Sequence, residues 1–118
     1  MGDDEIIEFC KSFRDGILEG RNSAMCCAMV CWPLQALLSI YGVETTAMTT
    51  PRVICDFGET NHMWLRLPDG RALDPTADQF SNKRRTYPPV YLGKPTRIHK
   101  NATMFNPSPP DDVSQGRG

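Results

Sequence analysis

A three-residue interruption between two strand-like runs carries the first chemical signal in this chain. Pro68, Asp69 and Gly70 separate NHMWLRL (61–67) from RALD (71–74). Proline ahead of Asp-Gly favours a type I turn closed by Gly70 in the left-handed conformation, a three-residue hairpin loop. Leu67 then stands opposite Arg71, and Trp64 opposite Asp74. His62, two residues from Trp64, shares a face with Asp74 as its diagonal neighbour, ~7–8 Å away by backbone and within reach of a side-chain hydrogen bond. A two-residue loop would shift the register by one and send Asp74 to the other face. A carboxylate on one imidazole nitrogen fixes the tautomer and raises basicity, leaving the other nitrogen to take a proton from a nucleophile. Three thiols, Cys26, Cys27 and Cys31, crowd the start of a helical segment. A helix N-terminus and a neighbouring imidazole both favour thiolate there.

The elements that must position these groups are legible around them. Residues 3–18 place Ile6, Ile7, Phe9, Phe13, Ile17 and Leu18 on a helical stripe. Asp3 and Asp4 suit its positive end, and Gly20 its stop. A charge-free run, 22–43, reads as a buried helix rather than a membrane span, because Asn22, Ser23, Pro33, Gln35 and Ser39 interrupt it and its flanks carry no positive bias. Its inner face is expected at Leu34, Leu37, Leu38 and Tyr41, with Cys27 seven residues back from Leu34, and Gly42 ends it. Pro33 requires either a start near Cys31 or a bend in a helix that starts near Cys27. Residues 43–48 and 51–57 read as short strands. The 80–100 stretch holds Val90, Tyr91, Leu92 and Ile98 for one or two more. Residues 101–118 read as a Pro-rich disordered tail, which leaves a single α+β domain over 1–100.

Composition narrows the function. With 118 residues and a formal net charge of −1, the chain lacks the basic surplus of an electrostatic nucleic-acid binder. Five cysteines are an odd number, and the acidic opening residues are no secretory signal. Reduced thiols and a cytoplasmic home are expected. Cys10 and Cys55 read as packing residues, Trp64 as core or wall, His99 as solvated among Lys and Arg, and Lys83, Arg84 and Arg85 as an exposed loop. A zinc centre on Cys27, Cys31, His62 and Asp74 is the competing reading, although no CxxC or HxxxH knuckle is present. A catalytically inactive interaction module is a third.

The pieces CAMVCWPLQALLSIYG (27–42), NHMWLRLPDGRALDPT (61–76) and ADQF (77–80) resemble the transglutaminase-like, papain-related superfamily of thiol enzymes over roughly residues 22–80. The resemblance implies a small α+β domain with the nucleophile helix packed on an antiparallel sheet. It also implies a Cys–His–Asp triad acting on a protein or peptide amide, as peptidase, deamidase or transglutaminase, without cofactor or metal. Carried over by position, Cys27 is the nucleophile, His62 the base and Asp74 its orienting carboxylate. Cys31, followed by Trp32, and Cys26 remain alternatives for the nucleophile. Arg21 stands six residues before Cys27, where a papain-like site tends to have a glutamine for the oxyanion. Asn22 and Gln35 are the substitutes at hand, beside the backbone N–H of the nucleophile itself.

Overall fold

The computed structural model describes residues 1–21, 26–55 and 58–105. Among them, two helices pack against a five-stranded antiparallel sheet of order β4-β3-β2-β1-β5. Helix α1 runs Asp3–Leu18 and buries Ile6, Cys10, Arg14 and Leu18, spaced by four. Its acidic first turn faces the helix dipole favourably, and the Glu5 carboxylate accepts the Gly2 N–H at 2.9 Å. Glu19, one residue before the expected glycine, takes the left-handed position at φ 52°.

Helix α2 runs Cys27–Ile40 with Pro33 inside it, so it begins at the earlier of the two candidate starts. Its buried face is Val30, Cys31, Leu34 and Leu38. Tyr41, assigned to that face from spacing alone, is 57% exposed. The 30-31-34-38 stripe points at the sheet, and the extra turn that would carry Tyr41 is cut off by Gly42. That glycine sits at φ 84°, and the Val43 N–H returns to the Leu38 carbonyl at 2.9 Å. Among the described residues, no helix is long and apolar enough to cross a membrane.

Strand β1, Thr46–Cys55, joins what spacing divides into two strands. Its register against β2 slips between Thr50 and Val53, where Pro51 and a left-handed Arg52 (φ 56°) lie. The slip is a bulge, which accommodates a proline that has no N–H for the ladder. Strand β2 spans Gly58–Arg66 and β3 Ala72–Asp74, pairing Leu65 with Leu73 and Arg66 with Ala72. This is the register of the three-residue loop. The Leu67 N–H donates to Arg71 O and the Gly70 N–H to Leu67 O, both at 2.9 Å, with Gly70 at φ 93°. A Cβ on Gly70 would meet nothing within 4 Å, so Gly70→Ala pays backbone strain alone. Chemical denaturation should show a loss of about 1–2 kcal/mol, and an unchanged midpoint would mean the turn tolerates another geometry.

Strand β4, Tyr91–Gly93, pairs with β3, and β5, Thr103–Met104, pairs with β1. The tail expected from residue 101 is therefore ordered through β5, while 106–118 lie outside the described residues. Both sheet faces are covered. The helices and the Met63, Leu65, Leu67 and Leu73 side bury one core. On the other face lie Met48, Trp64 and Ala72, with Ala77, Phe80, Tyr87 and Ile98 from the segment that follows β3.

Candidate active site

The site forms where β3 runs out. Continuing the hairpin register would set residue 75 opposite Met63, but residue 75 is proline and has no N–H to offer. The edge of β2 is left open at Met63, and the first turn of α2 fills it. The Met63 N–H donates to Cys27 Sγ at 3.4 Å, and the Cys31 thiol donates to Met63 O at 3.5 Å. Two cysteines four apart on one helix face thus satisfy both backbone polar groups of one residue. This seats the helix N-terminus, with Cys27 as its first residue, against the strand that carries His62.

His62 and Asp74 are fully buried and share a face as the turn chemistry requires. His62 Nε2 lies 2.6 Å from Asp74 Oδ2. Its Nδ1 is buried without a conventional hydrogen-bond partner among the described residues. His62 and the Cys27 thiol influence each other's ionisation, and with Nε2 on Asp74 the ring nitrogen that is free to serve a thiol is Nδ1. The Phe80 ring packs edge-on against His62, 4.6 Å between ring centroids.

Electrostatics at the three groups oppose burial. Burial alone would push the Cys27 thiol up, and the Asp74 charge adds to this. The neighbouring His62 imidazole, the Met63 N–H and the His62 charge outweigh both, and the thiol ionises below its ordinary 9.0. Burial would push the imidazole of His62 down, but the Asp74 charge and hydrogen bond, aided by Cys27, raise it to about 9. Burial would raise Asp74, yet the charge and N–H of His62 and the N–H of His99 hold it well below the carboxylate range. The arrangement favours a thiolate–imidazolium pair backed by a carboxylate.

Of the competing thiols, Cys31 is completely buried, and desolvation with the nearby Asp74 and Cys27 charges pushes it well above 9.0. It is a neutral donor to a carbonyl. Cys26 is the N-cap residue of α2, half-buried against the helix-side core. Cys10 is fully buried and pushed up to about 12 by desolvation, as a packing thiol should be. Trp64 is 2% exposed and donates its indole N–H to Thr50 Oγ1 at 2.9 Å, a core residue behind the site.

The proposed oxyanion helpers do not converge. Arg21 caps α1, donating to Leu18 O at 2.8 Å and Ile17 O at 3.0 Å. Gln35, two turns beyond Cys27, donates to Thr45 O at 3.1 Å and ties α2 to the start of β1. Asn22 lies outside the described residues. The donors that remain are the N–H groups of the first turn of α2, which no intrahelical carbonyl satisfies.

His99 is the residue that sequence reasoning missed. Expected in solvent, it is 3% exposed, and its Nε2 sits 2.8 Å from the same Asp74 Oδ2 that holds His62. A short 3₁₀ turn, Arg97–His99, delivers it. The basic neighbours Arg97 and Lys100 point out while Ile98 and His99 point in. The available signal was Ile98: an apolar residue among charges marks a turn with one buried side.

A zinc centre on Cys27, Cys31, His62 and Asp74 does not assemble. The potential ligands that converge among the described residues are His62, Asp74 and His99. The Thr96 N–H donates to His99 Nδ1 at 2.9 Å. With Nδ1 an acceptor, the ring proton is on Nε2, which therefore has no lone pair for a metal. The trio is wired as donors on a carboxylate, and it does not fit a metal.

Comparison with protein-family models, characterised proteins and solved structures yields no match to this chain.

Proposed function

We propose that this protein is a thiol-dependent acyl-transfer enzyme acting on an amide or peptide bond, with Cys27 as nucleophile, His62 as general acid–base and Asp74 as its orienting group. One observation carries the reading: His62 is held by Asp74 through Nε2, and its Nδ1 is buried with no hydrogen-bond partner among the described residues, next to a thiol whose ionisation the imidazole favours. A buried unsatisfied ring nitrogen is costly, and a catalytic partner accounts for it. The α+β layout with a cysteine-bearing helix against an antiparallel sheet supports placing it with the transglutaminase-like, papain-related enzymes.

In this reading the Cys27 thiolate attacks the substrate carbonyl carbon. The developing oxyanion meets the unsatisfied N–H groups at the start of α2, whose dipole is positive there. Collapse of the adduct breaks the C–N bond, and His62 gives its Nδ1 proton to the departing amine. The thioester on Cys27 is then attacked by water or by a second amine, with His62 taking the proton back. Asp74 keeps the Nε2–H fixed throughout, so the ring need not reorient between steps.

The test is residue-resolved alkylation. Iodoacetamide at pH 6.5, followed by fragment mapping that separates Cys26 from Cys27, should modify Cys27 first and leave Cys10 and Cys31 for last. p-Nitrophenyl acetate should acylate Cys27 in a burst that Cys27→Ser abolishes. First reaction at Cys26, or at no cysteine of the folded protein, would reject this assignment. The rate of burst acylation should rise with pH through the lowered Cys27 value. For an amide substrate it should fall again near pH 9, where His62 loses the proton it must deliver.

A further inference from the structure

Asp74 Oδ2 accepts two imidazole N–H groups, from His62 at 2.6 Å and from His99 at 2.8 Å, while Oδ1 accepts the Thr76 N–H at 3.1 Å. The triad uses only the first. His99 is the better-fixed of the two rings. Its Nδ1 accepts the Thr96 N–H at 2.9 Å and lies 3.3 Å from Thr96 Oγ1, which is itself paired with the Tyr87 hydroxyl at 2.8 Å. Trp64 packs edge-on against it at 4.8 Å and Tyr91 stacks on it at 5.7 Å and 21°. A backbone N–H on Nδ1 cannot rotate away, so Nε2–H is aimed permanently at the carboxylate.

We propose that His99 is a positioning residue for the thiol site: a tautomer-locked second donor that pins Asp74 Oδ2 and takes a share of its negative charge. A carboxylate oxygen shared by two donors binds each less strongly than one serving a single donor. His62 therefore meets a moderated acceptor. That matters for a ring that must release its proton to a leaving group as readily as it takes one. Among the described residues, the ionisable groups facing this cluster are Cys27 and the neutral Cys31 from α2, His62 from β2, Asp74 from β3, Tyr91 from β4 and, through Thr96, Tyr87. Arg97 turns outward and donates to Ile54 O.

This inference rests on the proposed triad for its purpose but not for its test. The chain has two histidines, so side-chain 15N correlation spectra are assigned by a single substitution. In the wild-type protein at pH 7.5, His99 should show the Nε2–H tautomer with a bare Nδ1; an Nδ1–H tautomer overturns the proposal without any variant. His99→Gln places an amide donor near the Nε2 position, and His99→Asn keeps only an acceptor for Thr96. The titration midpoint of His62 should stay at the wild-type value in the glutamine variant. In the asparagine variant it should rise by roughly half a unit to one unit, because Asp74 has lost a donor. Equal shifts in the two variants, no shift in either, or a fall in the asparagine variant would mean that His99 only fills space. If Cys27 proves unreactive while these shifts appear, the proposed enzymatic function fails and the wiring of Asp74 stands. If Cys27 is reactive and the shifts are absent, the reverse holds.

Discussion

Replacing Asp74 by alanine should cost about 3–5 kcal/mol of folding free energy, the range for removing one partner of a buried charged pair. The carboxylate is completely buried and serves three donors: His62, His99 and the Thr76 N–H. Truncation leaves all three facing a cavity. Asparagine is nearly isosteric but does not repair the site. Its carbonyl must occupy the Oδ2 position to accept both imidazoles, which turns its NH₂ onto the Thr76 N–H, donor against donor. Urea denaturation at pH 6 should therefore rank wild type above Asp74→Asn and Asp74→Ala. A loss below about 1 kcal/mol in the alanine variant would show that water replaces the carboxylate without penalty.

The pH dependence has a definite sign. Asp74 ionises well below its ordinary 3.8 in the folded protein, so its contribution is present above pH 3.8 and is lost as pH falls through the lowered value. His62 is raised from 6.5 to about 9, so its contribution is complete below pH 6.5 and is lost as pH rises through 9. The gap in stability between wild type and Asp74→Ala should be widest from about pH 4 to 6.5 and narrow toward both sides. A gap that is flat from pH 4 to 10 would mean the pair is not ionised as described.

How much of this was legible in the sequence follows the range of the interactions involved. The hairpin register depended on four consecutive residues, Leu67 to Gly70, and local turn chemistry decided it, His62–Asp74 pairing included. The bounds of α1 likewise followed from its own acidic start and apolar stripe. Elements held by partners distant in the chain were misread. β1 looked like two strands because Pro51 breaks a ladder when no bulge is foreseen. Thr103 and Met104 carry no strand signal of their own and are ordered by the edge of β1. Spacing alone leaves Cys31 and Gln35 open to chemical roles, whereas in the fold Met63 O and Thr45 O occupy them. His99 was misplaced for the same reason: its burial is set by Asp74, Trp64 and Tyr91, none within its own local segment except Tyr91, while Arg97 and Lys100 beside it signal solvent.

Replacing His62 by alanine should lower the rate of Cys27 alkylation at pH 6.5 by roughly one to two orders of magnitude. In the wild type the thiolate is favoured by the neighbouring His62 imidazole and its charge and by the Met63 N–H, against burial and the Asp74 charge. Removing the imidazole takes away the largest favourable influence together with the His62 charge, and leaves a half-buried thiol with the Met63 N–H alone against burial and the Asp74 charge. Its ionisation then moves above the ordinary 9.0, in the direction that Cys31 already shows one turn along the helix. Part of the loss is offset because a more basic thiolate is intrinsically more nucleophilic, so the whole pH profile is the measurement to make. His62→Ala should displace the Cys27 profile toward alkaline pH and leave that of Cys55, remote from the imidazole, where it was. His62→Gln, which keeps an N–H for Asp74 but supplies no charge, separates folding from activation: it should retain more stability than alanine with the same displaced profile. A Cys27 profile indifferent to both substitutions would mean that the helix terminus alone activates the thiol, and that the imidazole, despite its buried Nδ1, belongs to the architecture rather than to the chemistry.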